Sequence, residues 1–316
     1  MALVGEKTEL EATRPQDTRM VTPTTVADFV IHTGNVQRCN HLQARVPATL
    51  QREITTALKC TMQCWKKHNK GDFVMSREVI GHPKLMRVPL SGNAMAKRVR
   101  VKLFILDKFE EGIVSKALTG VEKAVGFAGV DTLVVDMKAA GGAEQHEEEE
   151  AGRDGGRDLV AAWREMENLH DYGLAKSLGV ADLDTDTLQH LASVAKVPVA
   201  VNEVDQQTRC ASLPSSLRTY AREHGIRLDA HSDAGHPLPK QQFQKIMTKV
   251  IKDQSLFTPG GEHTPGGDTP GTPGSAVGAA LRVDWTPRWV ARYTVVDTER
   301  SVVDSTGFVI GGRYIV

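Results

Sequence analysis

The chain has 316 residues, with 39 Lys and Arg against 39 Asp and Glu, and 40% of its residues are hydrophobic. An α/β barrel takes about 250 residues as one unit, so a single such domain with tails is the economical organisation. A formal charge near zero argues against a nucleic-acid binder, though it leaves room for a local patch, and no stretch approaches the roughly 18 uninterrupted apolar residues of a membrane helix.

Residues 1–25 mix charge with Thr and Pro without a clear period and read as a flexible N-terminal tail. Phe29–His32 is a short apolar run stopped by Thr33-Gly34-Asn35, a first strand and turn. From Val46 to Lys67, Leu50, Ile54, Leu58, Met62 and Trp65 recur at helical intervals. Phe73–Met75 is a possible strand. Val99–Leu106 is a clear strand, Ile113–Phe127 a helix and Thr132–Met137 a further strand. Residues 139–158 carry Gly-Gly pairs and the run Glu147–Glu150, so they read as a solvated insertion.

The alternation then resumes. Leu159–Tyr172 is an amphipathic helix and Ala175–Val180 a strand. Asp184 or Thr185 caps a helix through Leu188, Leu191 and Val194. Val199–Val204 and Ile226–His231 are strands, and Pro214–His224 and Gln241–Lys252 are helices. Residues 257–284 form a second insertion in which Thr-Pro-Gly recurs. Trp289–Val296 and Gly307–Val316 close the chain as strands. Repeated strand–helix alternation favours a parallel sheet with crossover helices, closed or open.

No apolar core of signal-peptide length follows Met1, and the four cysteines, Cys39, Cys60, Cys64 and Cys210, are too few for a disulfide framework. A reducing, cytoplasmic location is expected. Cys60 and Cys64 share a helical face, a spacing that suits packing better than metal. No metal site is expected. Six Thr-Pro pairs, at Thr22, Thr258, Thr264, Thr269, Thr272 and Thr286, are accessible to proline-directed kinases if exposed.

The stretch from Trp163 to Leu169, followed by Gly173–Val180, resembles the approach to the fifth strand of aldo-keto reductases. Ala181-Asp182-Leu183 stands where that family has Ser-Asn-Phe, Asn202-Glu203 where it has Asn-Gln, and Ala230-His231-Ser232 at a matching strand end. One branch is similar over most of the length, the regulatory (modifier, light-chain) subunits of glutamate–cysteine ligase. His32–Asn35, Lys102–Ile105, Ala181–Asp184, Trp285–Tyr293 and Gly307–Ile310 carry that resemblance. It implies a (β/α)8 TIM-barrel-like fold of aldo-keto reductase type over residues 26–316.

Aldo-keto reductases reduce carbonyls with a nicotinamide cofactor, using a tyrosine early in the chain tuned by a lysine, an aspartate and a histidine. A phenol with its ordinary pKa near 10 needs such a neighbour to act as an acid. This chain's first tyrosine is Tyr172. Lys102 falls at the lysine position, where without a tyrosine it reads as a strand-end lysine reaching solvent. Asp136 falls near the histidine position and reads as a strand-end loop residue. Asn202, Glu203 and Asp182 are remnants of a cofactor shell, and residues 257–284 lack the basic segment that would hold its phosphates, so neither NADPH nor any other cofactor is expected.

The resemblance therefore implies a noncatalytic subunit that binds the catalytic chain of the ligase as a heterodimer. Cys210, Trp289, Arg292 and Tyr293 are the candidate contacts. An NADPH-dependent reductase with a rearranged site, motivated by Lys102 and Asn202, is the alternative.

Overall fold

The computed structural model describes residues 26–38, 49–68, 79–81, 93–126, 128–137, 148–205, 213–233, 235–252 and 283–315. The strands are β1 (Val26–His32), β2 (Val79–Gly81), β3 (Lys97–Ile105), β4 (Val130–Asp136), β5 (Ala175–Ala181), β6 (Val201–Asp205), β7 (Arg227–His231), β8 (Asp284–Asp297) and β9 (Val302–Ile315). The helices are α1 (Leu50–His68), α2 (Ile113–Val125), α3 (Glu148–Asp171), α4 (Thr185–Val194), α5 (Ser215–Glu223) and α6 (Lys240–Lys252).

The α/β alternation read from the sequence is present. β3 to β7 form a continuous parallel run, and α2 to α5 make the crossovers between them. Two features differ from an all-parallel ring. β8 and β9 form a long antiparallel pair inserted between β3 and β1, giving the order β2-β1-β9-β8-β3-β4-β5-β6-β7. Among the described residues β2 and β7 are the unpaired ends, so the sheet is barrel-like but open.

Alternation along β3 separates the two faces, as the twofold period of a strand requires. Val99, Val101, Leu103 and Ile105 join the core under α2 and α3, while Phe104 points the other way into a second core. That second core packs Phe29, Ile31, Phe308 and Ile310 of the sheet against α1 and α6, through Leu58, Met62, Phe243 and Met247. A β-bulge between Pro287 and Trp289 shifts the register of β8 by one residue. Trp285 and Trp289 would otherwise share a face; the bulge sends Trp285 into one core and Trp289 into the other.

Helix ends follow local chemistry. Asp184 caps α4, its carboxylate accepting the Thr187 N–H at 2.8 Å. α2 starts at Gly112 without a cap of its own, and Glu165 of α3 takes that part, accepting the N–H groups of Gly112 (3.1 Å) and Ser115 (2.8 Å).

α3 begins at Glu148, inside the span 139–158 read from the sequence as an insertion. The insertion expected at 257–284 overlaps β8 at Asp284. The N-terminal tail, Phe73–Met75 and residues 257–282 lie outside the described residues. Of the six Thr-Pro pairs, the described one, Thr286, is a half-buried residue within β8.

Candidate functional site

A cavity of about 550 Å³ opens on the face of the parallel run opposite α2 to α5, lined among others by Arg100, Lys102, Glu203, Asp229, His231 and Arg292. Neighbouring strands lie about 4.8 Å apart, so a flat sheet would hold β3 about 14 Å from β6. Lys102 of β3 nevertheless stands 3.2 Å from Glu203 of β6. Arg100 lies 2.6 Å from Glu203 and 2.9 Å from Asp229 of β7. The sheet must curl over this face, and small residues line the inside of the curl: a Cβ on Gly179 would strike the Val201 side chain.

Lys102 is the hub. Its Nζ is 3.0 Å from Asp233, 3.2 Å from Glu203 and 3.3 Å from Asp136, and all four side chains are nearly inaccessible. Burial alone would lower the lysine pKa, but Asp136, Asp233 and Glu203 outweigh it and hold the pKa above its ordinary value. The Lys102 ammonium also sits 5.0 Å from the centre of the Phe104 ring. The expectation of a lysine reaching solvent is thus corrected, and Asp136 is a buried ion-pair partner at the end of β4 rather than a loop residue.

The ion pairs continue outward. Arg292 contacts Asp233 at 3.4 Å and Glu53 of α1 at 3.8 Å. Burial raises the Glu53 pKa, against the pull of Arg292. His231 Nδ1 accepts the Asp233 N–H at 3.1 Å, which leaves Nε2 to carry the proton facing Asp182 at 3.2 Å. Asp182 takes a left-handed backbone (φ 54°) at the end of β5, and its other carboxylate oxygen accepts the Asp205 N–H at 2.8 Å.

The cofactor-shell candidates do not converge on a nicotinamide. Asn202 is buried on the face opposite Glu203, and its carboxamide is spent on one residue: it donates to the Leu183 carbonyl at 2.9 Å and accepts the Leu183 N–H at 3.4 Å. Glu203 is committed to Arg100 and Lys102. These residues do not fit a carboxamide-binding shell, which needs free donors and acceptors aimed into the cavity.

All four tyrosines are described, and none lines the cavity. Tyr293 pairs with Val101, one residue from Lys102, and therefore points to the other face. Burial pushes its pKa up to about 12, the wrong direction for an acid. Tyr172 is exposed, Tyr220 stacks on His224, and Tyr314 packs on Trp285.

Trp289 and Tyr293 are buried in the core (3% and 1% exposed), so neither offers its ring to a partner in this structure. Arg292 is half-buried, and Cys210 lies outside the described residues. Cys60 and Cys64 are half-buried on α1, and the described residues contain no metal-binding cluster. His236 is half-buried, with its Nδ1 accepting the Leu238 N–H. Sequence reasoning missed Arg100, Asp229 and Asp233. For Arg100 and Asp229 the signal was charge at alternate strand positions, as in Arg98, Arg100 and Lys102; Asp233 lies beyond the end of β7.

No family profile matches the chain. A search of curated proteins aligns it with the human glutamate–cysteine ligase regulatory subunit at 22% identity, covering 90% of this chain and 92% of that one. The chain is similar to glutamate–cysteine ligase regulatory subunits over nine-tenths of its length. A putative regulatory subunit from Schizosaccharomyces pombe is 24% identical, covering 71% of this chain and 74% of its own. The Saccharomyces cerevisiae NADPH-dependent alpha-keto amide reductase is 33% identical over 28% of each chain. Among solved structures, the Bombyx mori aldo-keto reductase in complex with NADP aligns at 16% identity and a TM-score of 0.35, covering 62% of this chain and 59% of its own, too loose to carry an argument. No helix among the described residues is long and apolar enough to cross a membrane.

Proposed function

We propose that this chain is a noncatalytic, cytoplasmic regulatory subunit of glutamate–cysteine ligase, acting as a heterodimer with the catalytic subunit. The observation that carries the reading is the state of Lys102. Three carboxylates surround it and no phenol lines its cavity, so the group that would tune a proton donor instead holds the sheet together. A carboxylate at Asp136 donates no hydrogen bond to a carbonyl unless it is protonated. Similarity to regulatory subunits along nine-tenths of the chain supports the same reading.

Regulation then works by population shift. Docking favours the partner conformation that binds glutamate well and glutathione poorly, and about 1–3 kcal/mol of coupling suffices. With Trp289 and Tyr293 in the interior, the contact surface falls to the strand-end loops, to Cys210 and to the exposed edge of Arg292. The test is steady-state kinetics of the catalytic subunit with and without the purified chain. A lower glutamate KM and weaker glutathione inhibition support the proposal; unchanged values for both defeat it.

The short reductase match motivates the second reading, an NADPH-dependent aldo-keto reductase with a rearranged site. Quenching of protein fluorescence by NADPH, together with turnover of a test aldehyde, would establish it.

A further inference from the structure

A second cavity, of about 720 Å³, lies between α2 and β1 on the opposite face of the sheet from the Lys102 cluster. Its two walls follow from the periods of their elements. On β1, Asp28, Val30 and His32 recur every second residue and face one side. On α2, Lys116, Gly120 and Lys123 recur at helical spacing along one face. Gly120 lets the helix settle onto Val309, and the His32 ring lies 3.9 Å from where a Cβ on Gly120 would stand. The imidazole is therefore at the inner end of the cleft.

His32 is 1% exposed, and neither of its ring nitrogens has a hydrogen-bond partner among the described residues. Buried polar groups are nearly always satisfied, so an orphaned donor and acceptor lining a cavity point to something that enters it. Desolvation, with a smaller contribution from Lys123, depresses the ring's pKa to about 4. At neutral pH it therefore presents one N–H and one lone pair. The body of the cleft is apolar, with Val30, Ile113 and Trp289 on its walls.

The charges at the mouth are unequal. Four cations line the cleft against two carboxylates, Asp28 and Glu110. Lys116 is held by Asp28 at 2.9 Å, Arg313 by Asp28 at 3.0 Å, and Arg288 by Glu110 at 2.9 Å. Lys123 is exposed and has no carboxylate partner among the described residues. A cavity of this size, apolar with a few convergent polar groups, has the make-up of a small-ligand site.

We propose that the cleft between α2 and β1 binds a small carboxylate with an apolar body, its polar end reaching Lys123 and His32 and its apolar part lying against Val30, Ile113 and Trp289. The site lies across the sheet from the Lys102 cluster and does not depend on the regulatory role. The test uses the purified full chain labelled with 15N in its histidine rings, with the His32 resonances assigned by His32→Gln. 2-Naphthoate and the neutral 2-naphthylmethanol are titrated separately. The expected result is a saturable movement of the His32 resonances, with the carboxylate about fivefold tighter than the alcohol. Lys123→Glu, an exposed position that leaves the fold intact, should remove that preference. The proposal fails if the His32 resonances do not move or already mark a hydrogen-bonded ring in the free protein. It fails equally if the two probes bind alike and Lys123→Glu changes neither.

Discussion

Replacing Lys102 with Met tests whether the buried cluster is a structural hub. The substitution keeps most of the side-chain volume and removes one charge. It leaves Asp136, Glu203 and Asp233 facing one another at the centre of the curl, where each is less than a tenth exposed. Glu203 keeps Arg100 and Asp233 keeps Arg292, so the loss is partial. Breaking a buried ion pair from one side costs about 3–5 kcal/mol, and that range is expected here at pH 7.

The sign with pH is also determined. In the wild type the raised lysine pKa contributes stability that is complete below the unfolded value near 10.4 and lost only as pH rises through the folded one. The deficit of Lys102→Met relative to the wild type therefore shrinks as pH rises above about 10.4, where the wild type loses the same contribution. Urea unfolding followed by far-ultraviolet circular dichroism at several pH values measures it. A deficit below about 1 kcal/mol at pH 7, or one that does not change with pH, refutes the idea of a neutralised hub.

Other substitutions probe other parts. His32 is held neutral with a pKa near 4, so the wild type should lose about 3 kcal/mol of stability as pH falls from 6.5 to 4; His32→Phe should flatten that slope in a pH series of melts. Glu167 is buried and accepts the Trp163 indole N–H at 3.1 Å and the N–H groups of Lys196 (2.6 Å) and Val197 (3.0 Å). Glu167→Ala leaves these donors unmet and should cost about 2–4 kcal/mol by urea titration. Gly311 lies under the Trp289 ring, where any Cβ would overlap the indole. Gly311→Ala should displace that ring, lower stability by about 1–3 kcal/mol and shift the tryptophan emission.

The parallel half was readable because its strands carry short apolar or alternating stretches bounded by turn chemistry, and each helix repeats at its own period. Asp184 as a cap and Leu188 and Leu191 as core positions were visible in the same way. The placing of β8 and β9 was not, since period 2 identifies a strand but not its neighbours. Only pairing over some 200 residues, as between Lys97 and Asp297, reveals it. The bulge at Pro287 was hidden too, so nothing showed that Trp285 and Trp289 enter different cores; Trp289 and Tyr293, named as contacts, are interior. Lys102 was found by its resemblance to a reductase lysine, but its role depends on Asp233 and Glu203, which only the curl of the sheet brings to it.

The position of the hairpin bears on how the molecule is made. β8 and β9 are synthesised after every other strand, yet they stand between β1 and β3. During translation the parallel run from β3 to β7 can assemble as soon as His231 leaves the ribosome, whereas β1, with β2 and α1 as its earlier neighbours, joins that run only when the chain has emerged as far as Ile315. A nascent chain halted before Asp284 would thus carry two parts of one sheet, with the facing edges of β1 and β3 both open until the hairpin joins them.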